Sequence, residues 1–241
     1  MNYSVVWNKD NYLEFINYLD TLQDIKYRDF HKKIIMYDKV IGIRTDILRN
    51  IAKEISLGNY ESYFKVNNSD YYEPIMIEGL VISYLKIDFN IIIDYINNYL
   101  KKVTNWAHID LLVSNLKIIN KYDKDGFKYA KELIHNKNNN YKRCGIVILL
   151  NYYLNDNYID KVLEVISKIK SNDYYVNMAI SWLLSLAYIK YKEKTLIYII
   201  NIKNEFVYNK TLSKIIDSKK ISKEEKEFIK SLKRDNKKMV D

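Results

Sequence analysis

Trp106 and Asp110 stand four residues apart in Asn105-Trp106-Ala107-His108-Ile109-Asp110. Positions i and i+4 share one face of an α-helix. At about 100° of turn per residue, the apolar stripe of this segment is Ile109, Leu112, Leu116 and Ile119, and the Trp/Asp pair points roughly 100° or more away from it. An indole face attracts cations, and a carboxylate adds a full negative charge. On a chain of net charge +9, such a pair suits a flat cation that is itself attached to a polyanion. The plainer reading of Asp110 alone is a solvated acid. His108 is adjacent but turned away, and no role falls to it.

Three further places have chemistry-bearing residues. Arg143 lines up with Val147, Leu150 and Leu154 near a helix start, where a cation opposes the helix dipole. It is either an arginine snorkelling at a core edge or a guanidinium aimed at a phosphate. Arg44, Thr45 and Arg49 also mark a helix start. Backbone N–H groups and two guanidiniums there suit phosphate, and capping with surface charge is the alternative. Trp182 has Tyr175, Met178, Leu186 and Ile189 as helical neighbours, so the pattern alone puts it in the core, with Asn177, Ser181, Ser185 and Tyr188 on another face.

Composition narrows the partner. Lys, Asn, Ile and Tyr richness follows from an AT-rich genome, so 24 tyrosines are weak evidence for base stacking. Arginine tells more: in a lysine-dominated chain it occurs at positions 28, 44, 49, 143 and 234 only, and its planar fork suits phosphate where lysine is a point charge. The basic balance favours nucleic acid or an anionic surface. No run of about 18 uncharged apolar residues and no leader pattern after Met1 is present. Lone Cys144 suits a reducing cytoplasm, and three scattered histidines with one cysteine make no metal cluster. A damaged, positively charged base in DNA fits these constraints, with no metal and no cofactor expected.

The elements that must position these residues are helices. Apolar spacing predicts them near 9–22, 24–36, 45–57, 60–66, 71–86, 89–102, 105–120, 125–137, 140–155, 158–170, 173–190, 192–201, 205–217 and 222–234. Thr45 is expected to cap the third and Gly58 to end it. Pro74 fits a first turn, and Ser222 with Glu225 a capping box. Gly126 and Asn138-Asn139-Asn140 read as breaks, and Lys233 to Lys238 as a solvated, frayed tail. Five Gly and one Pro argue against a sandwich or barrel. Helix pairs recurring every 30 to 40 residues or so point to an all-α fold, an α-solenoid of HEAT-like repeats curved around a concave basic groove. It would be one domain over 1–241, with 223–241 as terminal helix and basic tail. A globular helical bundle is the alternative.

Several stretches together carry a resemblance. Tyr27-Arg28-Asp29-Phe30-His31-Lys32-Lys33 is followed by the run from Ile41-Gly42-Ile43-Arg44-Thr45-Asp46 to Ile55. Gly79 to Lys86, Asn105-Trp106 with Asp110, Lys142-Arg143-Cys144-Gly145 to Leu150, and Tyr174 to Ser185 complete the set. In order and spacing they resemble AlkD-type DNA alkylation repair proteins, HEAT-like-repeat alkylpurine DNA glycosylases, over roughly residues 12 to 217. The resemblance implies that Trp106 and Trp182 are aromatic walls of the active site, Asp110 its catalytic acid and Arg143 its positioning arginine. Thr45 and Arg49 would contact the DNA backbone, and the neighbouring cations Arg44 and Lys142 are expected to join them. Two positions depart: Asp46 replaces a usual proline, and Ser185 replaces an arginine found in active members.

The expected activity is therefore hydrolysis of the N-glycosidic bond of cationic N3- or N7-alkylpurines in double-stranded DNA, by a monomer in a bacterial cytoplasm, at the nucleoid. Two other functions share the fold: a non-catalytic paralogue that binds distorted or branched DNA, and a protein-interaction scaffold.

Overall fold

The computed structural model describes residues 1–234, and every regular element among them is helical. In chain order these are α1 (Lys9–Thr21), α2 (Ile25–Ile35), α3 (Thr45–Leu57), α4 (Tyr60–Val66), α5 (Tyr72–Tyr84), α6 (Phe89–Lys102) and α7 (Trp106–Asn115). A short 3-10 helix (Lys117–Asn120) precedes α8 (Asp123–His135), α9 (Asn139–Tyr152), α10 (Ile159–Ser167), α11 (Tyr174–Lys190), α12 (Lys192–Ile200), α13 (Glu205–Ile216) and α14 (Lys223–Ser231). The all-helical content accords with a solenoid of helical repeats. The chain divides into two compact units, Met1–Asp123 and Lys124 onward.

The first unit is organised around α5, which packs on α3 and α7. Apolar residues surround this helix, as expected for one with no solvent side, and Tyr72 through Ser83 are buried. Glu73 and Glu78 lie among them, and a buried carboxylate is costly unless it accepts hydrogen bonds. Glu73 accepts backbone N–H groups from Ile41 at 2.9 Å, Gly42 at 2.7 Å and Ile43 at 3.3 Å. Gly42 has φ +99°, and a side chain there would also meet the Asp24 carbonyl at 2.9 Å. Asp24 in turn donates its N–H to the Gly42 carbonyl at 3.0 Å. The loop into α3 is thus held from two sides. Glu78 accepts from Asn67 Nδ2 at 2.6 Å and pairs with Lys102.

In the second unit α11 is flanked by α9 and α13. Gly145 lets α9 approach α8: a Cβ there would lie 2.5 Å from the Ala130 carbonyl oxygen. Tyr188, Ile199, Tyr208, Leu212, Ile215 and Ile229 form a buried cluster.

Several local expectations need correction. The N-cap of α3 is Arg44, with no side-chain cap bond; Thr45 is already the first helical residue, so its hydroxyl is one position too late. Gly126 is no break but a buried residue inside α8. The helix expected over 105–120 stops at Asn115 and resumes as the 3-10 turn. Ser222 caps α14 through the Glu225 N–H at 3.2 Å, but the Glu225 carboxylate turns instead to the Tyr188 hydroxyl and Lys192, both at 2.7 Å. The end of the described chain is anchored, not frayed: the Arg234 guanidinium lies 3.8 Å from the Tyr208 ring centroid and donates to the carbonyls of Ile202 and Ile200. Asp235 to Lys238 of the expected tail lie outside the described residues.

Candidate nucleic-acid interface

In the first unit, α7 presents two faces. His108, Ile109, Leu112 and Val113 are buried, while Trp106, Ala107, Asp110 and Leu111 are half-buried on the other side. Asn105 sets this register: its Oδ1 accepts the Ala107 N–H at 2.9 Å, and its Nδ2 donates to the Ile35 carbonyl at 2.7 Å. The cap and the bolt onto α2 therefore come from one side chain, immediately before Trp106.

Asp110 stands near a chain of aromatic rings that the sequence pattern did not single out. Tyr72 stacks on His108 with centroids 4.5 Å apart. His31 meets Tyr72 edge-on at 4.9 Å and Tyr27 at 5.0 Å, and the Arg44 guanidinium sits 5.4 Å from the Tyr27 centroid. The Tyr72 hydroxyl is held far above the ordinary tyrosine range, first by burial, then by Tyr27, Glu73 and the Asp110 charge. His108 is fully buried, its Nε2 lies 3.0 Å from the Tyr72 carbonyl, and burial pushes its pKa down to about 4. Burial thus favours its neutral form. The i, i+4 spacing of Tyr27 and His31 was the one sequence signal for this cluster.

The arginines expected at phosphate already have protein partners. Arg44 donates to Asp24 Oδ2 from Nε at 3.1 Å and from Nη2 at 2.7 Å, and Asp24 also caps α2. This pair depresses the Asp24 carboxyl, after the Tyr27 N–H bond that contributes most. Arg49 Nη1 donates to Asn115 Oδ1, tying α3 to the last residue of α7. Thr45 is half-buried and Asp46 exposed in the first turn of α3.

In the second unit, Trp182 is not in the core. It lies half-buried on a stripe with Met178, Leu186 and Ile189, and with exposed Tyr175 at its head. The other face, with Asn177, Ser181, Ser185 and Tyr188, is the packed one: all four are buried. Ser181 Oγ donates to the Asn177 carbonyl at 2.9 Å and Ser185 Oγ to the Trp182 carbonyl at 2.8 Å, so these serines satisfy themselves on their own helix. The inversion has a clear cause. α11 is apolar all round, because α9 and α13 cover both flanks, and the residual open strip carries no polar mark.

Arg143 is 6% exposed, and its Nη1 donates to the Tyr175 carbonyl at 2.6 Å. It thereby reaches from α9 to the first turn of α11, at the head of the Trp182 stripe. Its sequence neighbour Lys142 points elsewhere, lining a cavity of about 480 Å³ with α8 and α10 residues including Lys131, Lys161, Lys168 and Glu164. Cys144 is buried. Among the described residues no group of three or more His, Cys, Asp or Glu side chains is placed to hold a metal ion, and no helix is long and apolar enough to cross a membrane.

No curated protein is a significant match to the chain. A family model described as DNA alkylation repair enzyme matches residues 13–233. That span takes in the Tyr27 cluster, α7, Arg143 and α11, and the chain belongs to the DNA alkylation repair enzyme family.

Proposed function

We propose that this repair protein is a DNA glycosylase that releases cationic N3- or N7-alkylpurines from duplex DNA. The observation that carries the proposal is the open face of α7, where an indole and a carboxylate share one half-buried strip in a chain of the alkylation-repair family. Alkylation leaves the purine positively charged, so it is already a good leaving group. The bond from the sugar C1′ to the base nitrogen breaks with its electron pair going to the base, which departs neutral. The Asp110 carboxylate stabilises the oxocarbenium left on the sugar and orients the water that adds to C1′; that water's proton is lost to solvent. Trp106 and Trp182 attract the cationic base, at about 0.5–2 kcal/mol each. Arg143, with Arg44, Thr45, Arg49 and Lys142, grips backbone phosphates, which makes affinity salt-sensitive.

Binding without excision is a second reading, and Ser185 favours it. One turn past Trp182 stands a small buried hydroxyl bonded to its own helix, with no cation to reach a phosphate from α11. One experiment separates the two: incubate wild-type protein with methylated duplex DNA and measure free 3-methyladenine and 7-methylguanine. Release well above the spontaneous rate supports the glycosylase. Tight binding with release at the spontaneous rate overturns it in favour of the second reading.

A further inference from the structure

The chain leaves α10 and α12 in the same way. Lys168-Ile169-Lys170 follows the first helix and Asn201-Ile202-Lys203 the second. The Ile169 N–H donates to the Ile166 carbonyl at 3.2 Å, and the Ile202 N–H to the Ile199 carbonyl at 3.0 Å. Each isoleucine thus closes the last turn of its helix, and a lysine comes next. Stacking one helical repeat on another brings equivalent positions side by side. Both isoleucines and both lysines accordingly line one cavity of about 660 Å³, to which α10, α11, α12 and α13 contribute.

Leu163, Ile166, Ile180, Leu184 and Val207 give this cavity an apolar floor. Its lining holds no Asp or Glu. Lys170 and Lys203 are exposed, whereas nearby Lys168 and Lys194 are engaged by Glu164 and Asp160. One polar side chain lies deep in the lining: Asn177 of α11 is 6% exposed. Its Nδ2 donates to the Ser171 carbonyl at 3.2 Å, but its Oδ1 accepts no hydrogen bond among the described residues and stays open to the cavity. By contrast, Asn204 Oδ1, on the same lining, takes the Val207 N–H at 3.1 Å as the cap of α13. A buried acceptor left without a donor costs free energy, which an N–H or O–H brought in by a ligand recovers.

Small-molecule sites are concave and mostly apolar, about 300–1,000 Å³ in size, with a few placed polar groups. We propose that this cavity binds a small anionic amphiphile. The apolar body of the ligand lies on the floor, an N–H or O–H of that body donates to Asn177 Oδ1, and an oxyanion head group meets Lys170 and Lys203. An acid-free lining with two exposed lysines selects an anion over a cation, and the open Oδ1 selects a ligand with a donor over a plain hydrocarbon chain. Neither Trp182 nor Arg143 lines the cavity, so the assignment does not rest on the function proposed above.

The test uses 1-anilinonaphthalene-8-sulfonate, which joins apolar rings, one N–H and a sulfonate, titrated into the full chain and followed by its fluorescence. Folded wild type is expected to bind one equivalent saturably. Lys170→Glu/Lys203→Glu should bind it about tenfold or more weakly, since two charge-assisted contacts become repulsive. Ile197→Trp, which enlarges an exposed lining residue, should weaken it to a similar degree. The charge-matched Lys219→Glu/Lys220→Glu, at exposed lysines of the same unit that do not line the cavity, should stay within roughly twofold of wild type. Urea unfolding of each variant confirms that folded proteins are compared, and if one cavity variant unfolds the other decides. Absence of saturable binding, unchanged binding in the folded cavity variants, or an equal loss in the charge-matched control overturns the site. Methylating the probe nitrogen should weaken binding roughly threefold or more; equal affinity removes Asn177 from the site. A wild type that sediments as a dimer while Ile197→Trp sediments as a monomer gives the cavity to a second copy and overturns the small-molecule assignment.

Discussion

α7 and α11 each hold a tryptophan at a half-open surface, and they do so by different means. α7 is short and two-faced, and Trp106 is its first residue, placed by the Asn105 cap and the bond from Asn105 to the Ile35 carbonyl. α11 is long, apolar all round and covered on both flanks, and Trp182 stands mid-helix where two neighbouring helices leave a strip open. Their electrostatic settings are opposite as well. Beside Trp106 stands the Asp110 carboxylate, whereas the Arg143 guanidinium reaches the head of the Trp182 strip. Under the function proposed above, bond breaking would fall to the first unit, which holds Asp110, and Arg143 in the second would grip the backbone.

The sharpest way to break that assignment is to neutralise each side. Asp110→Asn keeps shape and removes charge. Loss of a group aimed at transition-state charge typically costs about 10²–10³-fold in rate, so single-turnover excision should fall by that much while duplex affinity stays within a few-fold. Undiminished excision would take Asp110 out of the chemistry.

The setting of α7 also carries a pH signature. Buried His108 has a pKa of about 4 against an ordinary 6.5, so both folded and unfolded chains are neutral there above pH 6.5. Between pH 6.5 and 4 only the unfolded chain takes up the proton, so stability is lost as pH falls. The loss approaches about 3 kcal/mol for this residue, and half-buried His31, also shifted down by burial, acts in the same direction. Urea unfolding at stepped pH values should show that decline, and His108→Phe should flatten it. An unaltered pH slope in that variant would assign the acid sensitivity to other groups.

Arg143→Ala is the converse of the Asp110 change. It should weaken duplex binding by about tenfold and lower the salt slope by roughly 1, with excision at saturating DNA much less affected. The variant also leaves the Tyr175 carbonyl without its buried donor, so α11 should lose some stability. A reduced melting temperature with an unchanged salt slope would make Arg143 a fastener of α11 and nothing more.

What the sequence could show about these places depended on local physics. The stripe Ile109, Leu112, Leu116 and Ile119 is buried as its spacing requires, and it left Trp106 and Asp110 on the opposite face. On α11 the same reasoning failed, because periodicity reports a boundary between apolar and polar sides and this helix has none. Its buried serines answer their own backbone carbonyls, so polarity there did not mark solvent. Helix positions were legible nearly throughout, since caps and apolar period agree. Gly126 misled because a glycine inside a helix looks in sequence like one that ends it. The Glu73 clamp on the 41–43 loop and the Tyr27, His31, Tyr72 and His108 rings join segments remote in sequence, and no local pattern encodes such meetings.

The smallest expected effects bear most directly on whether the two tryptophans are alike. Each should contribute about 0.5–2 kcal/mol to the preference for cationic over ordinary bases. Trp106→Ala and Trp182→Ala should therefore each reduce the ratio of affinities for methylated and unmethylated duplex by up to roughly thirtyfold. Neither should cost the fold what a fully enclosed aromatic does. Truncating a buried aromatic typically costs about 3–5 kcal/mol, and Tyr188→Ala, on the packed side of the same helix, supplies that benchmark for α11. Trp182→Ala should unfold at a clearly higher urea concentration than Tyr188→Ala. Were the two equally destabilised, with the damage preference intact, Trp182 would be a packing residue after all, and recognition of the lesion would fall to α7 alone.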